Sequence, residues 1–265
     1  MKTRACTSAV ARFAFLAAAA IFPASGWTQD APADARGPDY SDGIDHNHMP
    51  GMDMLDNAAI GMLLIDQLEV THGDGGSGQR WEMQGWYGND LDKLWLRSEG
   101  ERSGGRTADA DLEASWSHAV APYWDTQLGV RHDFGHGPAR DWAAFGIAGL
   151  APYFFETQAT LYVGPSRRTA ARLRTDYDVL FTQRLILQPE LEVNFYGRAD
   201  LQREIGSGLS DARLGLRLRY EFRRQFAPYV GVSWTRRFGD TAGLARAAGE
   251  AVFDHQWVAG VRIWF

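Results

Sequence analysis

The sequence predicts an all-β protein: an antiparallel transmembrane β-barrel of twelve strands. Three observations point there. In the last ten residues, Trp257, Ala259, Val261, Ile263 and Phe265 form one apolar face, while Gln256, Gly260 and Arg262 fall on the other. A strand of that period and length crosses a bilayer when tilted, since about 9–11 residues suffice. Similar alternation recurs from Met62 onwards, and tight turns alternate with more polar, glycine-rich connections, as turns and loops on opposite sides of a membrane do.

Residues 1–26 read as an export signal. Lys2, Arg4 and Arg12 are basic, Phe13 to Phe22 is an apolar run, and Ala24-Ser25-Gly26 offers small residues for cleavage. The run is shorter than the roughly 20 residues of a transmembrane helix. Cys6, the one cysteine, lies inside this signal, so the mature chain is expected to carry no thiol or disulfide. Of 27 basic residues, 24 remain once Lys2, Arg4 and Arg12 are removed; set against 33 acidic ones they leave a net charge of −9. That balance excludes a basic nucleic-acid surface. Mean hydropathy is negative, as expected of a barrel whose strands alternate apolar and polar residues.

Residues 27–57 show no hydrophobic periodicity and are rich in Ala, Pro, Asp and Gly. They read as a disordered periplasmic tail, unable to bury a core. Residues 58–265 read as the barrel. Its strands are placed at about 62–72, 78–88, 91–101, 106–119, 121–134, 139–151, 153–164, 168–185, 189–199, 209–222, 227–238 and 255–265. In the tenth, Leu214, Leu216, Leu218, Tyr220 and Phe222 oppose Arg213, Gly215, Arg217, Arg219 and Glu221. Ala-Pro-Tyr at 121–123, 151–153 and 227–229, with Gln188-Pro189-Glu190, marks tight turns with proline where the next strand begins. Longer connections are expected at 73–78, 102–105, 135–139, 164–168, 200–209 and 239–255. An even strand count puts both barrel ends on the periplasmic side of an outer membrane, in contact with its lipid.

The tail carries the clearest chemistry. His46, His48, Met49, Met52 and Met54 lie within nine residues, in a protein with seven histidines and six methionines. Thioether favours Cu(I), and neutral imidazole also suits Cu(II), so this mixture can hold a copper ion in either oxidation state. Asp45 and Asp53 add carboxylates that concentrate cations without selecting among them. The alternative is a chance cluster in a polar linker.

Several segments resemble a known family. They are Gly85-Trp86-Tyr87-Gly88-Asn89-Asp90, Lys93-Leu94-Trp95-Leu96, Gly129-Val130-Arg131-His132-Asp133-Phe134, Trp142-Ala143-Ala144-Phe145-Gly146 and Thr169-Ala170-Ala171-Arg172-Leu173. With them go Thr182 through Pro189, Gly206-Ser207-Gly208-Leu209-Ser210, Phe226 through Val232 and Val258-Ala259-Gly260-Val261-Arg262. Over nearly all of 55–265 the chain is similar to the copper resistance protein B family. The resemblance implies an outer-membrane protein whose Met/His-rich N-terminus takes part in copper handling. As a neighbour it implies a periplasmic copper protein such as a multicopper oxidase. Family members often carry longer tails with repeated His/Met motifs, and this chain has one short cluster.

Secondary metal candidates lie in the barrel. His132, Asp133 and His136 fall near the end of the fifth strand, Asp133 with lumen parity and His132 with the opposite one. Glu69 and Glu82 have polar parity on the first two strands, whereas Met83 points outward with Trp81. His118 and His255 read as surface groups near connections. Arg172, Arg174, Arg184, Arg213, Arg217 and Arg219 share polar parity with Asp176, Asp178, Glu190, Glu192 and Glu221. These predict a charge network that fills the lumen, since unpaired charge in a dry interior is costly; a transport path is the alternative.

Three functions follow as expectations. The first is copper capture by the tail, with sequestration or export. The second is a small diffusion channel with an incidental tail, although open porins usually need about 16–18 strands. The third is a barrel enzyme, for which no spaced Ser/His/acid set stands out. The protein is expected not to be an enzyme.

Overall fold

A computed structural model describes residues 58–73, 76–135 and 137–265. The expected signal peptide (1–26), the expected tail (27–57) and His136 lie outside the described residues.

Alternating sequence becomes one continuous antiparallel wall. Its segments are β1 (Ile60–Gly73), β2 (Gly76–Gly88), β3 (Asp92–Ser103), β4 (Arg106–Ala121), β5 (Trp124–Gly135), β6 (Arg140–Ala151), β7 (Phe155–Gly164), β8 (Arg168–Asp176), β9 (Val179–Leu180), β10 (Leu185–Tyr196), β11 (Gly208–Tyr220), β12 (Phe226–Arg237) and β13 (Phe253–Trp264). From β1 to β8 and from β10 to β13 each pairs with the next, β8 also pairs with β10, and β13 pairs with β1 through Val70↔Ala259 and Thr71↔Val258, which closes the barrel. Closure leaves no edge strand with unpaired backbone groups, the condition for a sheet to cross lipid. The segments β8 and β9 lie along one stave, both paired to β10, so the wall has twelve staves as expected.

The interruption within that stave corrects one expectation. Pro189 is not at a turn but inside β10, opposite Leu216 of β11. On its other side Tyr177 donates its N–H to the Pro189 carbonyl at 3.1 Å. Proline has no N–H to return, so the ladder fails there and β8 and β9 part. The turn sits at residues 181–184, where the Thr182 hydroxyl accepts N–H bonds from Arg184 (3.2 Å) and Leu185 (2.9 Å). A threonine turn of this kind carries no glycine or proline signal. Arg184, expected in the lumen, is exposed in this turn.

Connections at the rim carrying Ile60 and Phe265, here the proximal rim, are short. At the opposite, distal rim, two of the expected longer connections, at 102–105 and 164–168, are tight. Gly104 and Gly105 (φ 59° and 80°) join β3 to β4, with Ser103 paired to Arg106. Two consecutive positive φ angles match the right-handed twist of a hairpin, and glycine adopts them without strain. Residues 197–207 and 238–252 are long. The second holds a helix absent from the sequence expectations, α1 (Gly239–Ala248). Its alanines favour helix, and Gly249 (φ 77°) ends it by donating its N–H towards the Ala245 and Arg246 carbonyls.

The surface is inverted. On β4, Leu112 and Trp116 are each 51% exposed, while Glu113 is 4% and Ser117 is 1% exposed. Apolar side chains face outward and charged ones inward, which is stable only where the outside is hydrocarbon. No helix among the described residues is long and apolar enough to cross a membrane; the strands do so.

Candidate metal-handling site and the barrel lumen

Period-two alternation sends every second side chain of each stave into the lumen, and charges of both signs meet there. Arg174 of β8 reaches across to Glu82 of β2, and the same Nη2 donates to Glu190 Oε1 at 2.9 Å. Arg217 of β11 donates to both oxygens of Glu69 of β1 (3.1 and 3.2 Å), to Glu190 Oε2 (2.7 Å) and to Gln67 Oε1 (2.8 Å). Tyr229 donates its hydroxyl to Glu69 at 3.1 Å, and Gln67 its amide to Glu190 at 2.8 Å. Nearer the distal rim, Arg172 binds Glu99 (2.8 Å) and Arg131 binds Asp111 (2.9 Å) and Asp133 (2.5 Å).

This crossbeam divides the lumen. A distal cavity of about 940 Å³ runs from Asp109, Arg203 and α1 down to Glu82 and Glu190. A proximal one of about 400 Å³ runs from those same two carboxylates to Asp66, Tyr123 and Arg262. The distal mouth is narrowed by α1, held by Thr241: it accepts an N–H from Gly206 (2.9 Å) and donates to the Ser210 hydroxyl (3.1 Å). Beside it, Asp200 clasps the 197–207 loop to the wall through Arg140 (2.9 Å) and Arg168 (3.3 Å). Burial would raise the Asp200 carboxyl, but the hydrogen bond and charge of Arg140, with the charge of Arg168, hold it below the usual aspartate value.

The residues expected to bind metal are therefore scattered. Glu69, Glu82 and Asp133 are buried in the lumen, as parity predicted, and each is already bound by other side chains; Trp142 donates its Nε1–H to Asp133 at 2.7 Å. His132 points outward, its Nδ1 2.6 Å from Asp141. The structure does not bring these side chains together. His132 does not join the lumen carboxylates, and no set of three His, Cys, Asp or Glu side chains is placed to hold a metal ion among the described residues. Hard carboxylates saturated by guanidinium do not suit Cu(I), which prefers sulfur and imidazole. His46, His48, Met49, Met52, Met54 and His136 lie outside the described residues.

Sequence reading missed three features. His118, read as a surface group, meets Asp92 at 2.9 Å beside the Trp116 indole, which donates to the same carboxylate at 3.0 Å. Tyr229, within an Ala-Pro-Tyr read as a turn, is an inward partner of Glu69 from the body of β12. The Asp200 clasp lay in a stretch without periodicity, so only its charge could have marked it.

Comparison with known proteins agrees with this architecture. A family model described as copper resistance protein B precursor (CopB) matches residues 59–265. The copper resistance protein B homolog of Pseudomonas syringae pv. tomato is 46% identical over 245 residues, covering 91% of this chain and 83% of that one. Copper resistance protein B of Escherichia coli is 49% identical over 220 residues, covering 82% and 74%. Among solved structures, the NanC porin in its rhombohedral crystal form is similar at a TM-score of 0.51 and 10% identity, covering 74% of this chain and 98% of that one. At that identity the likeness carries the barrel fold alone. Matched along the whole of its barrel by the family model, and at nearly half its positions by two relatives, the chain belongs to the copper resistance protein B family.

Proposed function

We propose that this protein serves copper resistance from the outer membrane by capturing periplasmic copper on its N-terminal tail. In this reading His46, His48, Met49, Met52 and Met54 are the ligands, and the barrel is the lipid-embedded anchor. The carrying observation is the division of chemistry along the chain. Soft and borderline donors cluster within residues 46–54, while the lumen carboxylates are occupied by arginines. Placing the proximal rim in the periplasm keeps the tail on the side where exported copper proteins work. A multicopper oxidase of the kind the family resemblance suggests is the proposed supplier or recipient. Captured copper is sequestered or passed outward, and no step requires catalysis.

The test is copper binding by the refolded full chain and by a form lacking residues 27–57, with Cu(I), Cu(II) and zinc. The expected result is loss of copper binding on truncation. Undiminished binding by the truncated form would overturn the tail as the capture site.

A channel reading is favoured by one observation: the two cavities meet end to end at Glu82 and Glu190. Conductance across the reconstituted barrel, with and without copper, separates a conduit from an anchor.

A further inference from the structure

The outer wall carries a groove that lumen chemistry does not explain. It follows one row of inter-strand register. Leu187 pairs with Leu218, Leu218 with Val230, Val230 with Ala259, and Ala259 with Val70. The row then ends on Gln79 and Arg102 at the distal rim. Crossing six inter-strand steps, it is about 29 Å long at roughly 4.8 Å per step. Its volume is about 890 Å³, near the top of the roughly 300–1,000 Å³ typical of ligand pockets.

Local sequence makes the depression. Ala259, whose side chain is a single methyl group, leaves the middle of the row open, and Trp257, 66% exposed, stands along one side. The body of the groove is aliphatic and its distal end is polar. There His72 meets Ser77 at 2.9 Å, and Arg102 donates to the Gly105 carbonyl at 2.9 Å, using one of its five N–H groups. An apolar trough on a lipid-facing wall, ending in an exposed guanidinium, complements a molecule with an acyl chain at one end and an anion at the other.

We propose that this groove binds a phosphorylated glycolipid of the outer leaflet, with an acyl chain along Val230 and Val70 and a phosphate at Arg102. The choice of leaflet rests on the proposed placement of the distal rim outside the cell. A guanidinium meets phosphate as a bidentate fork, and Ala259 leaves room for a chain that a flat wall would shed.

The experiment uses the full chain purified in detergent, with native mass spectrometry reading retained lipid. The probes are bisphosphorylated hexa-acyl lipid A, its monophosphoryl form, phosphatidylglycerol and inorganic phosphate. The wild type is expected to retain bisphosphorylated lipid A above the others. Arg102→Gln should lower that retention about two- to fivefold, the scale of one exposed ionic contact. Ala259→Phe should lower it for both forms of lipid A by filling the trough; if that variant fails to fold, Val230→Phe fills the same space. Equal retention by the wild type and the variants would mean ordinary annular contact and overturn the site. Preference for phosphatidylglycerol, or binding of inorganic phosphate alone, would overturn this occupant. Deleting residues 27–57 should leave lipid retention unchanged, so failure of copper capture and failure of this site are read separately.

Discussion

Glu82 of β2 and Glu190 of β10 share one guanidinium nitrogen of Arg174, and the same two carboxylates border both lumen cavities. A single side chain of β8 therefore ties distant staves together at the level where the two cavities meet. That position makes Arg174 both a brace and a barrier.

Replacing Arg174 by alanine leaves two buried carboxylates without this partner. Breaking a buried pair from one side costs up to about 3–5 kcal/mol. The expected outcomes are a lower urea midpoint for the vesicle-inserted barrel and a higher single-channel conductance. Arg174→Lys should recover part of the stability, because it restores charge without the fork. Unchanged conductance in the alanine variant would show that the crossbeam does not obstruct the lumen.

Tyr229→Phe isolates one hydrogen bond. It removes the hydroxyl that donates to Glu69 while leaving Arg217 on that carboxylate. The expected loss is about 0.5–1.5 kcal/mol, read as a shift in urea midpoint at constant slope. A loss as large as that of the Arg174 variant would mean that Tyr229, not Arg217, holds Glu69.

The outer face gives the opposite kind of test. Leu112→Arg puts a charge on the lipid side of β4, where cost depends on depth and reaches about 2–4 kcal/mol at the bilayer midplane. Ser117→Ala, on the inward face of the same strand, removes a 3.0 Å bond to Asp125 and should cost about 0.5–1.5 kcal/mol. If both variants refold into vesicles with equal midpoints, the assignment of the two faces fails.

Acid should loosen the distal loop before the barrel. The Asp200 carboxyl is held below its ordinary value by Arg140 and Arg168 against the cost of burial. Because its folded value is the lower one, it contributes stability that is fully present above the unfolded value and is lost as pH falls through the folded value. Hydrogen exchange in residues 197–207 should therefore rise below the ordinary aspartate range. In Asp200→Asn that exchange should be fast already at neutral pH and lose the step. A step of the same size in the variant would assign it to another group.

For copper, changing Met49, Met52 and Met54 together to Leu should weaken Cu(I) more than Cu(II), since thioether sulfur is the softer ligand. Changing His46 and His48 to Ala should weaken both. Competition titration against a chelator of known affinity measures each; equal Cu(I) affinity in the Leu variant would remove sulfur from the site.

Much of the fold was legible because the side-chain period of a strand is two residues. Leu214 and Leu218, against Arg217 and Arg219, announce their faces from sequence alone, and the inward parity of Glu69, Glu82 and Asp133 followed from the same count. Legibility failed where the signal is not periodic. Pro189 read as a turn because proline usually marks one, yet the ladder tolerated it by letting Tyr177 go without a return bond. Helix α1 was hidden in a glycine-containing stretch whose amphipathic character is weak.

Alternation and terminal patterning by themselves determined the wall: the number of staves, the inverted faces, and the separation of soft donors in residues 46–54 from hard charges in 58–265. Which charge meets which was decided only by tertiary structure. Arg174 and Glu82 are 92 residues apart and Arg217 and Glu69 are 148 apart. Parity sends each side chain inward, but barrel closure and the stagger between staves determine which of them arrive at the same height.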